Sequence, residues 1–340
     1  MAETDVNVLV AVNFSDALLE RLRAVSPRLN VRAIPARSAD DVPAEVLQDT
    51  EVLYTSRMLP EPEQVPELRW IQFHFAGVDH VVDRELLHSD QVMVTTLSGA
   101  AAPQMAEYAL MAILALGRKA LAMVEDRLAK RWAEDRYDRF RPKDLRNSTV
   151  GIVGYGSVGR EVARLAKAFG AEVLATKRDL MAPSESDYRL EGLGDPGGDL
   201  VDRLYPPEAT GSMLSECDYA VITVPLTGQT RGMINDKILK RMPKGAYLID
   251  VSRGGVVDHG ALVEALNEGR LGGAALDVFP IEPLPETSPL WDMPNVLISP
   301  HVAGASPRYA EQAIDLFTAN LRRYLADQPL LNLYQADRGY

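Results

Sequence analysis

A single cysteine, Cys217, excludes an internal disulfide and the stapled small-domain architectures that depend on one. It adjoins the apolar stretch Tyr219–Thr223, which predicts a packed rather than a reactive thiol and suits a reducing cytoplasm. Long hydrophobic runs are missing as well. No stretch approaches about 18 uncharged apolar residues, so no membrane-spanning helix is expected. Met1-Ala2-Glu3-Thr4-Asp5 has neither the basic flank nor the apolar core of a signal peptide, and export is not expected. Positive charge is in deficit: 36 Lys and Arg against 48 Asp and Glu leave a net charge of -12, a field that repels nucleic-acid phosphates. No internal repeat or low-complexity segment stands out, and no metal site is expected. The chain has 340 residues, 46% hydrophobic and 25% charged, enough for two domains with full cores.

Short apolar runs alternate with helical patterns in the N-terminal part: Asn7 to Val12, Asp16 to Val25, Val31 to Pro35, Glu51 to Ser56, Arg69 to Phe73 and Gln91 to Thr95. Such alternation predicts a parallel sheet with crossover helices. A second alternation, from Thr149 onward, places strands at Thr149–Val153, Glu172–Thr176, Tyr219–Thr223, Ala246–Asp250, Gly273–Asp277 and Val296–Ile298. Six strands match a doubly wound dinucleotide fold. Between the halves, Gln104–Lys119 is apolar nearly all round, which predicts a helix buried between domains or against another subunit. A last helix is expected with Ser306 as N-cap and Pro307 at its first position, its stripe formed by Ala310, Ile314, Phe317 and Leu321. Residues 181–211, with Pro183, Gly192, Gly194, Pro196, Gly197, Gly198, Pro206 and Pro207, read as a long surface excursion with room for one short helix.

Gly154-Tyr155-Gly156-Ser157-Val158-Gly159 lies between an apolar strand and a helix pattern whose apolar positions are Val158, Val162, Leu165 and Phe169. A lone glycine fingerprint is weak, since glycines also serve ordinary turns, but here the strand and helix context is present. Gly154 permits the tight turn, Gly156 lets a pyrophosphate approach the backbone, and Gly159 lets the helix pack closely on the sheet. At the end of the second strand Lys177 and Arg178 offer positive charge, and Arg178 a planar donor fork, suited to a 2′-phosphate. This favours NADP over NAD. Asp179, two positions along, remains an alternative ribose acceptor, and the basic pair can also be read as solvated surface charge.

Carbonyl reduction needs a hydride source, a proton donor at the oxygen, and a cation that polarises the carbonyl and holds a carboxylate. Arg253 follows the strand Ala246–Asp250 and precedes Gly254-Gly255, at the carboxyl end where open α/β sheets bind ligands. Alone, an arginine is more often a surface ion pair. His301 follows the last apolar strand, and imidazole titrates near neutrality, although most lone histidines are structural. Glu282 lies between Pro280 and Pro283 and otherwise reads as a turn carboxylate.

Downstream of the fingerprint, the contexts Val251-Ser252-Arg253-Gly254-Gly255, Val278-Phe279-Pro280-Ile281-Glu282-Pro283 and Ser299-Pro300-His301-Val302-Ala303 closely resemble the D-isomer-specific 2-hydroxyacid dehydrogenase family. The resemblance covers nearly the whole chain. It implies two Rossmann-like doubly wound parallel-sheet α/β domains, with a discontinuous substrate domain (1–102 and 305–340) and a dinucleotide domain (103–304) inserted in it. By the same resemblance His301 is the acid/base, Glu282 its partner, and Arg253 the carboxylate and carbonyl anchor. It assigns cofactor contacts to Gly154, Gly156, Ser157, Val158, Gly159, Lys177, Arg178, Val224, Pro225, Thr230, Val251, Ser252, Arg253, Asp277 and His301. Asp277 matches the family aspartate that bonds the nicotinamide carboxamide, and otherwise reads as a strand-end cap. Many NAD-using relatives carry an acidic residue where Lys177 falls, and asparagine is common where Asp250 stands.

Substrate contacts are implied for Phe75, Ala76, Gly77, Val78, Arg253 and His301. Phe73, His74 and Phe75 can equally be ordinary core, and Tyr108 and Trp132 are not assigned. The expected function is cytoplasmic, NAD(P)-dependent interconversion of a small 2-oxoacid and a D-2-hydroxyacid by a homodimer, with no nucleic-acid or membrane partner. Formate oxidation is disfavoured because those relatives carry glutamine at Glu282. A phosphite dehydrogenase-like enzyme and an NAD(P)H-sensing corepressor-like protein remain the alternatives.

Overall fold

A computed structural model describes residues 5–182, 184, 188–336 and 338–339 of the chain. Pro183 of the excursion and the first four residues, on which the reading of the N-terminus rested, lie outside the described residues. The chain divides into two compact units, Met1–Ala101 with Ser306–Tyr340, and Ala102–Ala305, so the second is inserted in the sequence of the first.

The first unit holds five parallel strands, β1 (Val6–Val10), β2 (Leu29–Ala33), β3 (Val52–Thr55), β4 (Trp70–Phe73) and β5 (Met93–Thr95), in the order β2-β1-β3-β4-β5. Val52, Leu53, Tyr54, Trp70, Ile71 and Phe73 are fully buried, the continuous apolar pattern of a sheet covered on both faces. The returning helix Tyr309–Leu325 supplies one cover. Its Phe317 packs on Tyr54 and Trp70 at ring-centroid distances of 4.7 and 5.3 Å, and Tyr324 stacks on Trp70 at 5.4 Å. The start of this helix differs from the expectation. Ser306 to Tyr309 form a turn closed by Tyr309 N–H to Ser306 O at 3.1 Å, Arg308 has φ -96° and ψ 0°, and the helix begins at Tyr309.

Seven parallel strands form the second sheet: β6 (Thr149–Val153), β7 (Glu172–Thr176), β8 (Arg203–Tyr205), β9 (Tyr219–Ile222), β10 (Ala246–Asp250), β11 (Leu271–Leu276) and β12 (Val296–Ile298). Their order is β12-β11-β10-β9-β6-β7-β8, a doubly wound sheet whose direction of winding reverses between β6 and β9. The expected six strands become seven because Arg203–Tyr205, inside the supposed surface excursion, pairs with Leu174–Thr176. A three-residue edge strand carries too little periodicity to register in a sequence. The rest of the excursion's C-terminal part is a 3-10 turn, Pro207–Ala209, and a helix, Thr210–Leu214.

Helix Ala102–Gly117 packs on helix Ser157–Ala168 and on β10 and β11, within the second unit, which accounts for its apolar character. Met111 is left 44% exposed. The fingerprint helix ends at Ala168, and Phe169, expected on its buried stripe, is exposed; Val162, Ala163 and Ala166 form the buried face with Gly159. Arg160 and Glu161 are buried too, on a side where a solvent face is the norm.

Candidate active site

Five loops leave the carboxyl ends of β6, β9, β10, β11 and β12, and parallel pairing brings those ends to one edge of the second sheet. After β6 the chain turns through Gly154 with φ +105°, a conformation that favours glycine. Two threonines hold this turn: Gly154 N–H donates to Thr176 Oγ1 at 3.0 Å, and Thr223 Oγ1 donates to Gly154 O at 2.8 Å. A Cβ at Gly159 would lie 2.2 Å from Gly154 O, so the helix seats against the turn only with glycine there. A Cβ at Gly156 would meet nothing within 4 Å. That open backbone at the N-terminus of a twelve-residue helix fits an incoming pyrophosphate.

At the end of β7 Lys177 is half-buried, Arg178 and Asp179 are exposed, and Asp179 accepts the backbone N–H of Met181 at 2.9 Å. After β9, Thr223, Val224 and Pro225 line the adjoining loop. Thr230 pins that loop, its hydroxyl donating to Pro225 O at 2.6 Å and accepting from Thr227 N–H at 2.8 Å.

Asp250 closes β10, fully buried; its Oδ1 accepts the hydroxyl and the backbone N–H of Ser252 at 2.5 and 3.0 Å. Burial pushes its carboxyl up to about 7, opposed by the Ser252 hydrogen bonds and assisted by the charge of Asp277. Arg253 follows, half-buried, with Nη1 donating to Ser252 O at 2.9 Å. A Cβ at Gly254 would sit 1.9 Å from Phe279 O. Only glycine lets the Arg253 loop lie against Phe279–Pro280, and this contact joins it to the segment carrying Glu282.

Glu282 uses both carboxylate oxygens: Oε1 accepts Phe279 N–H at 2.9 Å and Oε2 pairs with His301 Nδ1 at 2.8 Å. His301 has φ +54°, a left-handed conformation that costs a non-glycine residue ~1–2 kcal/mol. Its neighbours compensate. Buried Asp277 accepts Ser299 Oγ at 2.6 Å, Val302 N–H at 2.8 Å and Ala303 N–H at 2.8 Å, clamping the loop on both sides of the histidine. Tyr108 extends the network, its hydroxyl 2.6 Å from Ser299 Oγ.

In the matched region, residues 110–303, the chain fits the family described as D-isomer specific 2-hydroxyacid dehydrogenase, NAD binding domain. A glyoxylate reductase of Thermococcus litoralis is 31% identical over 279 residues, 81% of this chain and 79% of that protein. A glycerate dehydrogenase of Methylorubrum extorquens is 30% identical over 293 residues, 84% of this chain and 86% of that one. The chain belongs to this family. It is an NAD(P)-dependent oxidoreductase of the 2-hydroxyacid dehydrogenase and 2-oxoacid reductase class. Among solved structures, a D-isomer specific 2-hydroxyacid dehydrogenase of Xanthobacter autotrophicus Py2, in complex with NADPH and MES, superposes with a TM-score of 0.80 at 30% identity, covering 99% of this chain and 100% of that one.

Of the expected site residues, the fold brings Gly154, Gly156, Ser157, Val158, Gly159, Val224, Pro225, Val251, Ser252, Arg253, Asp277, Glu282 and His301 to the carboxyl edge of one sheet. Phe75, Ala76, Gly77 and Val78 belong to the first unit, in the loop after β4. There Phe73 is core, whereas Phe75 and Ala76 are exposed. His74 is packed edge-on by Phe14, Tyr54, Phe75 and Tyr309, and shares a 2.7 Å hydrogen bond with Tyr54. Burial lowers its imidazole to about 4, so it is a neutral structural group. Thr176, Thr223, Ser299 and Tyr108 were not assigned from sequence. Each acts through a partner distant in the chain, as with Tyr108 and Ser299, 191 residues apart. No local pattern signals such pairs. Among the described residues no group of His, Cys, Asp and Glu is arranged to hold a metal ion, and no helix is long and apolar enough to cross a membrane.

Proposed function

We propose that this enzyme reduces a small 2-oxoacid, of the size of glyoxylate or hydroxypyruvate, to the corresponding D-2-hydroxyacid, with NADPH as preferred reductant. The observation that carries the assignment of roles is the pairing of His301 Nδ1 with a Glu282 carboxylate that is itself anchored on Phe279 N–H. The turn Gly154–Gly159 would hold the pyrophosphate of NAD(P)H, whose nicotinamide would supply the hydride for the keto carbon. His301 delivers the proton to the oxygen from Nε2, because Nδ1 is committed to Glu282. Glu282 fixes the orientation of the ring through Nδ1. Arg253 holds the substrate carboxylate and polarises the carbonyl with its planar fork. Asp277 keeps the His301 loop in its left-handed turn and would accept a hydrogen bond from the carboxamide of the dinucleotide. Phe75, Ala76, Gly77 and Val78 form the substrate-binding segment of a substrate domain that we propose spans 1–102 and 305–340, with a cofactor domain at 103–304.

NADPH is favoured by Lys177 and Arg178 at the end of β7, and by Asp179 being engaged with Met181 N–H in its own turn. The similar Xanthobacter protein was solved with NADPH. A homodimer is supported by a run of exposed apolar side chains along 111–137, namely Met111, Met123, Leu128 at 70%, Trp132 at 85% and Tyr137 at 79%. Burial raises the Cys217 thiol to about 12, an inert packed group that fits a cytoplasmic setting.

Steady-state oxidation of NADPH and NADH with glyoxylate, hydroxypyruvate, pyruvate and bulkier 2-oxoacids tests the reading. Turnover of one or more small acids, faster with NADPH, is expected. Tight binding of NAD(P)H with no turnover of any 2-oxoacid would overturn the reductase in favour of a sensor.

A further inference from the structure

Among the described residues, the connection between β7 and β8 contains no helix, although a crossover between adjacent parallel strands is most often helical. Its later part, residues 194–202, runs instead as a strap across the fingerprint helix. Asp195 is its fastening point, 4% exposed. The carboxylate accepts the Tyr155 hydroxyl at 2.5 Å and the backbone N–H groups of Asp199 and Leu200, each at 3.0 Å, and Asp195 O accepts Arg160 Nη1 at 2.5 Å. Arg160 is fully buried, with its guanidinium 4.6 Å from the centre of the Tyr155 ring. Glu161 takes Gly194 N–H at 2.6 Å, and Asp202 takes Lys167 Nζ at 2.9 Å and Val173 N–H at 2.7 Å. Those contacts explain why Arg160 and Glu161 are buried on what would otherwise be the helix's solvent face.

Tyr155 is the residue between Gly154 and Gly156, and Arg160 directly follows Gly159. The Asp195 bonds therefore grip both ends of the glycine fingerprint. We propose that the strap is a working part of the dinucleotide site and that Asp195 is a positioning residue, holding the pyrophosphate-binding turn in its binding conformation through Tyr155 and Arg160. A glycine-rich turn loses backbone freedom when a ligand orders it, and that cost opposes binding. Tethering the one large side chain in the turn from below removes freedom before the ligand arrives. Asp195 is held below the usual carboxylate range by the Tyr155 hydroxyl and the two backbone donors, against its burial, so the bond to Tyr155 is charge-assisted at neutral pH.

The inference rests on the fingerprint being the dinucleotide site. Its test compares Asp195→Asn, Tyr155→Phe and the double variant by fluorescence titration with NADPH and with NADH in the absence of any 2-oxoacid. Each single variant should raise Kd for both dinucleotides about 10-fold and to the same extent, because the turn serves the shared pyrophosphate. The double variant should be no worse than Asp195→Asn, since the Tyr155 bond is the one both changes share, while Asp195→Asn also disturbs the acceptors of the Asp199 and Leu200 N–H groups. In turnover, KM for the dinucleotide should rise while KM for the 2-oxoacid and kcat at saturating dinucleotide change far less. A lowered melting temperature with Kd unchanged in both single variants would make the strap merely structural and overturn the proposal, as would additive losses. Should Asp195→Asn fail to fold, Tyr155→Phe, which removes only a hydroxyl, decides the matter. If the wild-type protein bound neither dinucleotide, the reading of the fingerprint itself would fail; wild-type binding with unaffected variants sinks the strap alone.

Discussion

Replacing Asp250 by asparagine should stabilise the protein in a way that grows with pH. Asp250 is fully buried, its Oδ1 takes both donors of Ser252, and Oδ2 has no hydrogen-bond partner among the described residues. The proton of the neutral carboxyl therefore resides on Oδ2. Asparagine reproduces this arrangement, with its oxygen facing Ser252 and its amide nitrogen in place of Oδ2–H. Near pH 4, where the carboxyl is protonated, the two proteins should be about equally stable. Burial raises the native carboxyl from 3.8 to about 7, so the native state holds the proton more tightly than the unfolded chain. The resulting stability is complete below the unfolded value and is lost as pH rises through the native one. At about 1.4 kcal/mol per pH unit, the wild type forfeits ~2 kcal/mol by about pH 5.5 and ~4 kcal/mol by about pH 8. Asp250→Asn avoids that loss. Scanning calorimetry should show the variant melting roughly 10 °C higher at about pH 8, roughly half as much higher at about pH 5.5, and with the wild type near pH 4. An increment independent of pH, or a destabilised variant at about pH 8, would refute the reasoning, since either means that native Asp250 does not ionise at a cost.

The catalytic roles make sharper demands. His301→Ala should lower 2-oxoacid turnover by about 100-fold or more while leaving NADPH titrations within about twofold of wild type, and undiminished turnover would remove His301 from the mechanism. Glu282→Gln should cost about 10-fold or more in kcat, because an amide that keeps its oxygen on Phe279 N–H turns its NH2 toward His301 Nδ1; wild-type kcat would refute this. Arg253→Lys should raise KM for the 2-oxoacid by about 10-fold or more despite keeping its charge, since an ammonium has no planar fork; an unchanged KM would show that the fork is unnecessary. Replacing Lys177 and Arg178 together by alanine should lower the NADPH to NADH ratio of kcat/KM by about 10-fold or more, and equal losses with both cofactors would assign the pair to general support of the strand end.

The parallel strands were legible because sheets covered on both faces demand near-continuous apolar runs, and Val52–Thr55, Thr149–Val153 and Tyr219–Ile222 satisfy that demand locally. Gly154 and Gly159 were legible because backbone geometry at a βα turn admits no other residue type. Strand β8 was not, since its three residues gain a place only by pairing with β7. The helix start at Ser306-Pro307 misled because an N-cap pattern and a turn use the same residue types, and the choice depended on the φ of Arg308.

By itself, then, the sequence determined the alternating α/β pattern and the glycine turn, which follow from periodicity and from residue type in a local context, whereas the discontinuous first unit and the roles expected of Arg253, Glu282 and His301 came from the resemblance to a family. What only the tertiary structure decided is how separated residues meet. Gly254 against Phe279 brings the Arg253 and Glu282 segments together, Asp277 clamps the His301 loop, and Asp195 ties a distant crossover to Tyr155. Each of these is a contact between chain segments that no local pattern links, because hydrogen bonding and close packing act on distance in space while a sequence records only order along the chain.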